Sequence, residues 1–147
     1  DYRHIAGDHA AQITNIRLLG SEGPVPVFPV FGSLTIELNF ETKLDTQAPE
    51  FFVLIYAEDG ECIAASFQGD RGAPLSNASG SEKVTATFSN PFAPGRYLIS
   101  AGIFDDQRQF HDWVEYAESF EVDPGFVDGR AFDQRMGRIS LEANWKQ

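Results

Sequence analysis

A chain of 147 residues with 22 acidic and 11 basic side chains carries a formal charge of -11, a field that repels a phosphate backbone and argues against nucleic acid as a partner. Its single cysteine rules out an intrachain disulfide framework and leans toward a reducing compartment or a fold that needs no bridges. No apolar run approaches the roughly 20 residues of a membrane-crossing helix, and thirteen phenylalanines, thirteen glycines and eight prolines beside one methionine suit short strands and tight turns within one all-β domain.

The first ten residues, DYRHIAGDHA, lack an apolar pattern and the profile of a signal peptide, and are read as a loosely held lead-in. A start without methionine is expected of an excised or processed piece of a longer protein. The first strand is predicted over residues 12–19. There Ile13, Asn15, Arg17 and Leu19 alternate with Thr14, Ile16 and Leu18, and the pattern leaves its buried face open. Pro24, Pro26 and Pro29 each remove a ladder donor, so the following apolar segment is an edge strand or an extended crossing. Residues 33–42 alternate cleanly, with Leu34, Ile36, Leu38 and Phe40 on one side, and predict a half-buried strand.

Residues 50–58 are apolar on both faces, which predicts a central strand covered on each side. Asp59-Gly60 supplies a hairpin turn and residues 61–67 a return strand, with either a two-residue or a four-residue loop. Residues 68–82, QGDRGAPLSNASGSE, read as a long surface loop of the kind that binds ligands or moves. Residues 83–89 return to alternation, and Pro91, Pro94 and Gly95 form a corner. From Gly95 to Phe104 the two-residue period places Tyr97, Ile99, Ala101 and Ile103 on the core face and Leu98, Ser100, Gly102 and Phe104 on the other. Tyr97, just after that corner, is expected to bond to backbone. Asp105 to Tyr116 is read as a polar, aromatic-rich connection, residues 116–122 as another strand, and residues 137–145 as a candidate last strand. The segment 126–134 has no clear pattern. About eight or nine short strands with turns between them predict an antiparallel β-sandwich of immunoglobulin or jelly-roll type, a single domain over residues 1–147.

No GxSxG, CxxC, HExxH or phosphate-cradling glycine loop occurs in the sequence, so no catalytic residue and no cofactor are assigned. Asp105 and Asp106 are read as solvated turn acids rather than glycosidase carboxylates, and His4, His9 and His111 are too scattered in sequence to suggest a metal site. Sugar binding has better support. An aromatic ring packs on the apolar face of a pyranose while nearby carboxylates, amides and guanidinium groups bond its hydroxyls. Trp113 is the leading stacking candidate, its alternative being a side chain tucked over the open end of the sandwich. Arg108, His111, Asp106 and Tyr116 accompany it, and Arg71 and Gln68 from the long loop form the proposed counterpart. Tyr56 and Phe67 would make a platform only if their sheet face were open, and a core role is expected for both.

The order of GDHAAQITNIRLL at 7–19, GSLTIELNFE at 32–41, the apolar strand and Asp-Gly turn at 51–60, PGRYLISAGIFD at 94–105, FEV at 120–122 and GRISLEANW at 137–145 resembles the C-terminal domain of the ATP-binding subunit of O-antigen polysaccharide ABC transporters, the Wzt C-terminal family. The resemblance implies an immunoglobulin-like sandwich without catalytic activity that binds the terminally modified non-reducing end of a polysaccharide. It also implies a cytoplasmic place at the inner-membrane face, with the transporter's transmembrane subunit as a partner through the full-length protein. A homodimer that exchanges residues 137–145 is implied as well. The alternative is a structural or dimerisation sandwich that binds no glycan.

Overall fold

The structure, a computed structural model, describes residues 1–25, 27–43, 48–70, 80–123 and 137–147, and the backbone of 126–127 and 130–131. The strands in chain order are β1 (Arg3–Ala6), β2 (Ala11–Gly20), β3 (Gly23–Pro24), β4 (Val27–Pro29), β5 (Ser33–Thr42), β6 (Glu50–Ala57), β7 (Cys62–Phe67), β8 (Ser81–Ser89), β9 (Gly95–Phe104) and β10 (Phe110–Asp123), with the two-residue strands β11 (Phe126–Val127) and β12 (Arg130–Ala131) pairing with each other. The larger sheet runs β1-β10-β9-β6-β7, with β4 laid parallel along the far end of β10, and the smaller runs β3-β2-β5-β8. Apart from β4 on β10, the pairings within both sheets are antiparallel. The predicted sandwich is the observed one.

The core lies between the sheets. Leu34, Ile36, Leu38 and Phe40 project into it from β5, Phe51, Val53 and Ile55 from β6, and Tyr97, Ile99, Ala101 and Ile103 from β9, all buried. Each such large apolar side chain contributes roughly 1.5–3 kcal/mol by leaving water. The ambiguous face of β2 is resolved by a register shift between Ile13 and Asn15. One extra residue there turns Ile13 and Ile16 to the same side, and both are buried. Strict alternation would have put them on opposite faces. At the corner before β9 the Tyr97 hydroxyl donates to the Ala93 carbonyl, the backbone bond expected of it, and burial raises its pKa.

Three expectations are corrected, and one left open is settled. The lead-in is held, because β1 pairs with β10 and the Tyr2 hydroxyl accepts the Ile16 N–H at 2.9 Å while donating to Glu118 at 2.9 Å. Its order comes from partners distant in sequence, so no local apolar pattern marks it. The connection after β9 closes within residues 105–109, and β10 is already a strand at Phe110 rather than at Tyr116. Register shifts between Phe110 and Asp112 and between Val114 and Glu118 break the alternation that would have revealed it. The hairpin β6–β7 uses the four-residue loop 58–61, with the Ala57 N–H donating to the Glu61 carbonyl. Finally, residues 137–147 form no strand in this chain. Ile139 makes one isolated bridge to Phe92, and the arm lies along the corner through Ala93 N–H to the Arg138 carbonyl and Ser140 N–H to the Pro91 carbonyl.

Candidate functional site

The two outer faces of the sandwich differ in chemistry. On the smaller sheet, the nearly buried Glu37 carboxylate lies between Arg17 at 3.3 Å and Lys83 at 3.4 Å, and Thr35 bonds Thr87 across β5 and β8. That is an ordinary solvated sheet surface. On the larger sheet the outward positions are aromatic. Phe52 stands at the centre, 4.8 Å from Phe104, 5.6 Å from Phe67 and, edge to face, 5.7 Å from Trp113. Phe110 stacks on Phe104 at 4.8 Å and meets Trp113 at 5.1 Å. Further along the same face Tyr56 and Tyr116 meet edge to face at 5.1 Å.

The backbone explains why these rings share a surface. Trp113 on β10, Gly102 on β9, Phe52 on β6 and Phe67 on β7 are paired in register as one row across four strands. The Phe52 ring lies over Gly102, where an added Cβ would come within 2.2 Å of it. The glycine therefore makes room for the ring. Tyr56 and Phe67 belong to this outer face and not to the core, which corrects the expectation for both. The second apolar side of β6 likewise has no further described layer over it, and is covered by the rings themselves.

The rim is polar at the β9–β10 turn. The Asp105 carboxylate accepts the N–H groups of Gln107 and Gln109, both at 2.8 Å, and fixes a turn in which Arg108 takes φ 64°. The Arg108 guanidinium reaches back over the Phe104 ring, 5.7 Å from its centroid, within 4.0 Å of Glu50, a cation–π geometry. Asp106 is exposed in the same turn. Gln68, after β7, lies at the same end of the sheet two strands away, with its side-chain oxygen accepting the Phe51 N–H at 3.1 Å. Of the predicted residues, Trp113, Tyr116 and Arg108 are thus brought to one face, with Asp106 and Gln68 both at the end where β6 begins. Arg71 lies outside the described residues, so its meeting with the β9–β10 turn does too.

His111 does not join this face. Its ring bonds the Asp8 carboxylate at 2.9 Å and is almost wholly buried, because the bulge beside Asp112 turns it toward the segment after β1. His4 and His9, near neighbours in sequence, meet the distant His111 at this corner. His4 Nδ1 lies 2.7 Å from the buried Asp112 carboxylate, whose other oxygen accepts the Ile13 N–H at 2.8 Å, and His9 Nε2 lies 4.0 Å away. The Asp8 carboxyl is held below its ordinary pKa, first by the Ala10 N–H and then by His111. The chemistry is that of a latch fastening the amino-terminal strand. Among the described residues no group of three or more potential ligands is placed to hold a metal ion.

With this geometry in view, the family relationship is direct. Residues 3–132 match the Wzt C-terminal domain family. The chain belongs to that family. The crystal structure of a Wzt C-terminal domain superposes with a TM-score of 0.82 at 15% identity, covering 99% of this chain and 90% of that one. A Niemann-Pick type C2 protein from the Japanese carpenter ant superposes with a TM-score of 0.56 at 9% identity, over 84% of this chain and 99% of that one. At such identities both likenesses bear on the fold alone. No curated protein matches the chain in sequence. As a Wzt C-terminal domain it is associated with O-antigen ABC transport. Its aromatic row was only partly legible in the sequence, which set Phe104 on the face away from the core, left Phe110 in a polar connection, and took Phe67 for a core residue. The one signal that could have found Phe52 is the two-sided apolar pattern of β6.

Proposed function

We propose that this domain is a non-catalytic binding module for an O-antigen polysaccharide, and that it reads the modified non-reducing terminus of the chain on the outer face of the larger sheet. The observation that carries the reading is the pair of part-buried rings Trp113 and Phe67, packed over the buried Phe52, with Tyr56 and Tyr116 beyond them, on a face with no other described layer. Rings at this depth offer apolar surface to the C–H face of a sugar, while Arg108, Asp106 and Gln68 at the margins supply hydrogen bonds to hydroxyls or to an acidic substituent. The ATPase would reside in a separate amino-terminal domain of the full-length protein, in the cytoplasm at the inner-membrane face and against the transporter's transmembrane subunit. Calorimetric titration with terminally modified polysaccharide and with the unmodified chain tests this. Binding of the modified chain alone, weakened on the order of tenfold or more by Trp113→Ala, is expected. Equal binding of both chains, or of neither, removes terminal recognition.

A second reading, a dimerising sandwich without glycan binding, is favoured by the carboxyl-terminal arm, where Leu141 is 83% and Trp145 94% exposed. Apolar side chains so displayed suit burial against a second copy, as in exchange of residues 137–145. It predicts that Trp113→Ala leaves polysaccharide interactions unchanged and that loss of the arm alters association.

A further inference from the structure

Tyr116 faces outward because of a break in β10. The register runs from Val114 opposite Ala101 to Glu118 opposite Ile99, so Glu115, Tyr116 and Ala117 together oppose Ser100. Regular pairing after the inward Val114 would send residue 116 into the core. The bulge turns it out, with Tyr116 at φ 47°, a conformation that residues other than glycine, asparagine and aspartate rarely adopt. The fully buried Ser100 holds it there, its hydroxyl oxygen accepting the Tyr116 N–H at 2.9 Å. The ring that results is 45% exposed and set edge to face against Tyr56. Bulges of this kind re-aim side chains, and strained residues gather at binding sites.

Along β6 the alternation places Phe52, Leu54 and Tyr56 on the same outer face. Four residues of strand separate Phe52 from Tyr56, about 13 Å, and between them lie Leu54 and its cross-strand partner Ser100. The two aromatic groups therefore bound a strip in which Leu54 is part-exposed and Ser100 is covered. Trp113, seated against the buried Phe52, stands at one end, and Tyr56 and Tyr116 at the other. We propose that the bulge builds the second wall of the glycan site: Tyr116 is a specificity-determining contact for the terminal sugar, and Ser100 is the positioning residue that aims it. This rests on the reading of the aromatic face as the glycan surface.

The test uses the 147-residue chain and a panel of purified bacterial O-polysaccharides, the tightest wild-type binder serving as the probe. Tyr116→Asn removes the ring but keeps a residue that tolerates positive φ, and is expected to fold and to weaken binding roughly tenfold. Ser100→Ala is expected to weaken binding about fivefold and to abolish the Tyr56–Tyr116 inter-ring contacts seen by NMR, whereas Ser100→Thr retains the hydroxyl and both properties. A purely structural role for Ser100 would lower the melting midpoint without selectively moving the ring contacts. If no polysaccharide binds, or Trp113→Ala binds as the wild type does, the glycan reading falls and this inference with it. If Trp113→Ala weakens binding but Tyr116→Asn does not, the second wall alone is refuted. If Tyr116→Asn weakens binding while Ser100→Ala changes neither affinity nor ring contacts, the positioning role is refuted.

Discussion

Gly102 shows how one missing side chain shapes a surface. A Cβ at this position would lie 2.2 Å from the Phe52 ring and 2.7 Å from the Asp112 carbonyl, and neither can withdraw without moving a ring packed among four others or a strand backbone. Gly102→Ala is therefore expected to destabilise the domain by about 1–3 kcal/mol and to displace Phe52 from under Trp113. Denaturant midpoints together with the emission of Trp113 would register both effects, and an unchanged midpoint would mean that the row has more freedom than its packing indicates. At this scale the sequence was partly legible. The period of β9 placed Gly102 opposite the core side, and Tyr97 could be recognised as a corner tyrosine from the Pro94-Gly95 turn before it. The identity of the ring over the glycine was not legible, since it depends on β6 pairing with β9.

Among the elements, β10 carries the most. Its inward residues fasten the amino-terminal strand through Asp112, its outward ones present Trp113 and Tyr116, and its far end receives β4. One register break falls within the connection expected over Asp105 to Tyr116 and the other spans its end, because bulges erase the two-residue period by which a strand is recognised. The carboxyl-terminal arm is fastened differently, by Arg138 bonding Asp59 at 2.6 Å and Glu61 at 3.0 Å. Arg138 holds the Asp59 carboxyl below its ordinary value, so the folded pKa is depressed. The contribution of the pair is then present above the usual carboxylate range near pH 4 and is lost as pH falls through the folded value. The amides of Ala93 and Ser140, which bond the arm, are expected to exchange faster with solvent near pH 3 than at neutrality, after correction for intrinsic rates. Equal protection at both would show that the ion pair does not hold the arm.

For the whole molecule, the contrast between a solvated outer face and an aromatic one motivates the proposed glycan surface on the larger sheet, and the exposed arm motivates the proposed dimer. Light scattering on the intact chain is expected to give a dimer, and on a chain ending at residue 136 a monomer with the same β-sheet circular dichroism. A monomer in both cases would set arm exchange aside. The net charge of -11 opposes close approach of two copies, so association should strengthen with added salt if electrostatics limits it. What the sequence determined by itself was the all-β class, the boundaries of β5 and β9 and the inward faces of both, because alternation is a local property written into a single strand. What only the tertiary structure decided was the order of the amino-terminal strand, the meeting of three histidines around Asp112 and Asp8, and the fate of Tyr56, Phe52 and Phe67. Alternation states which residues share a face, but whether that face meets the other sheet or the solvent is settled by how the strands pair and the sheets stack.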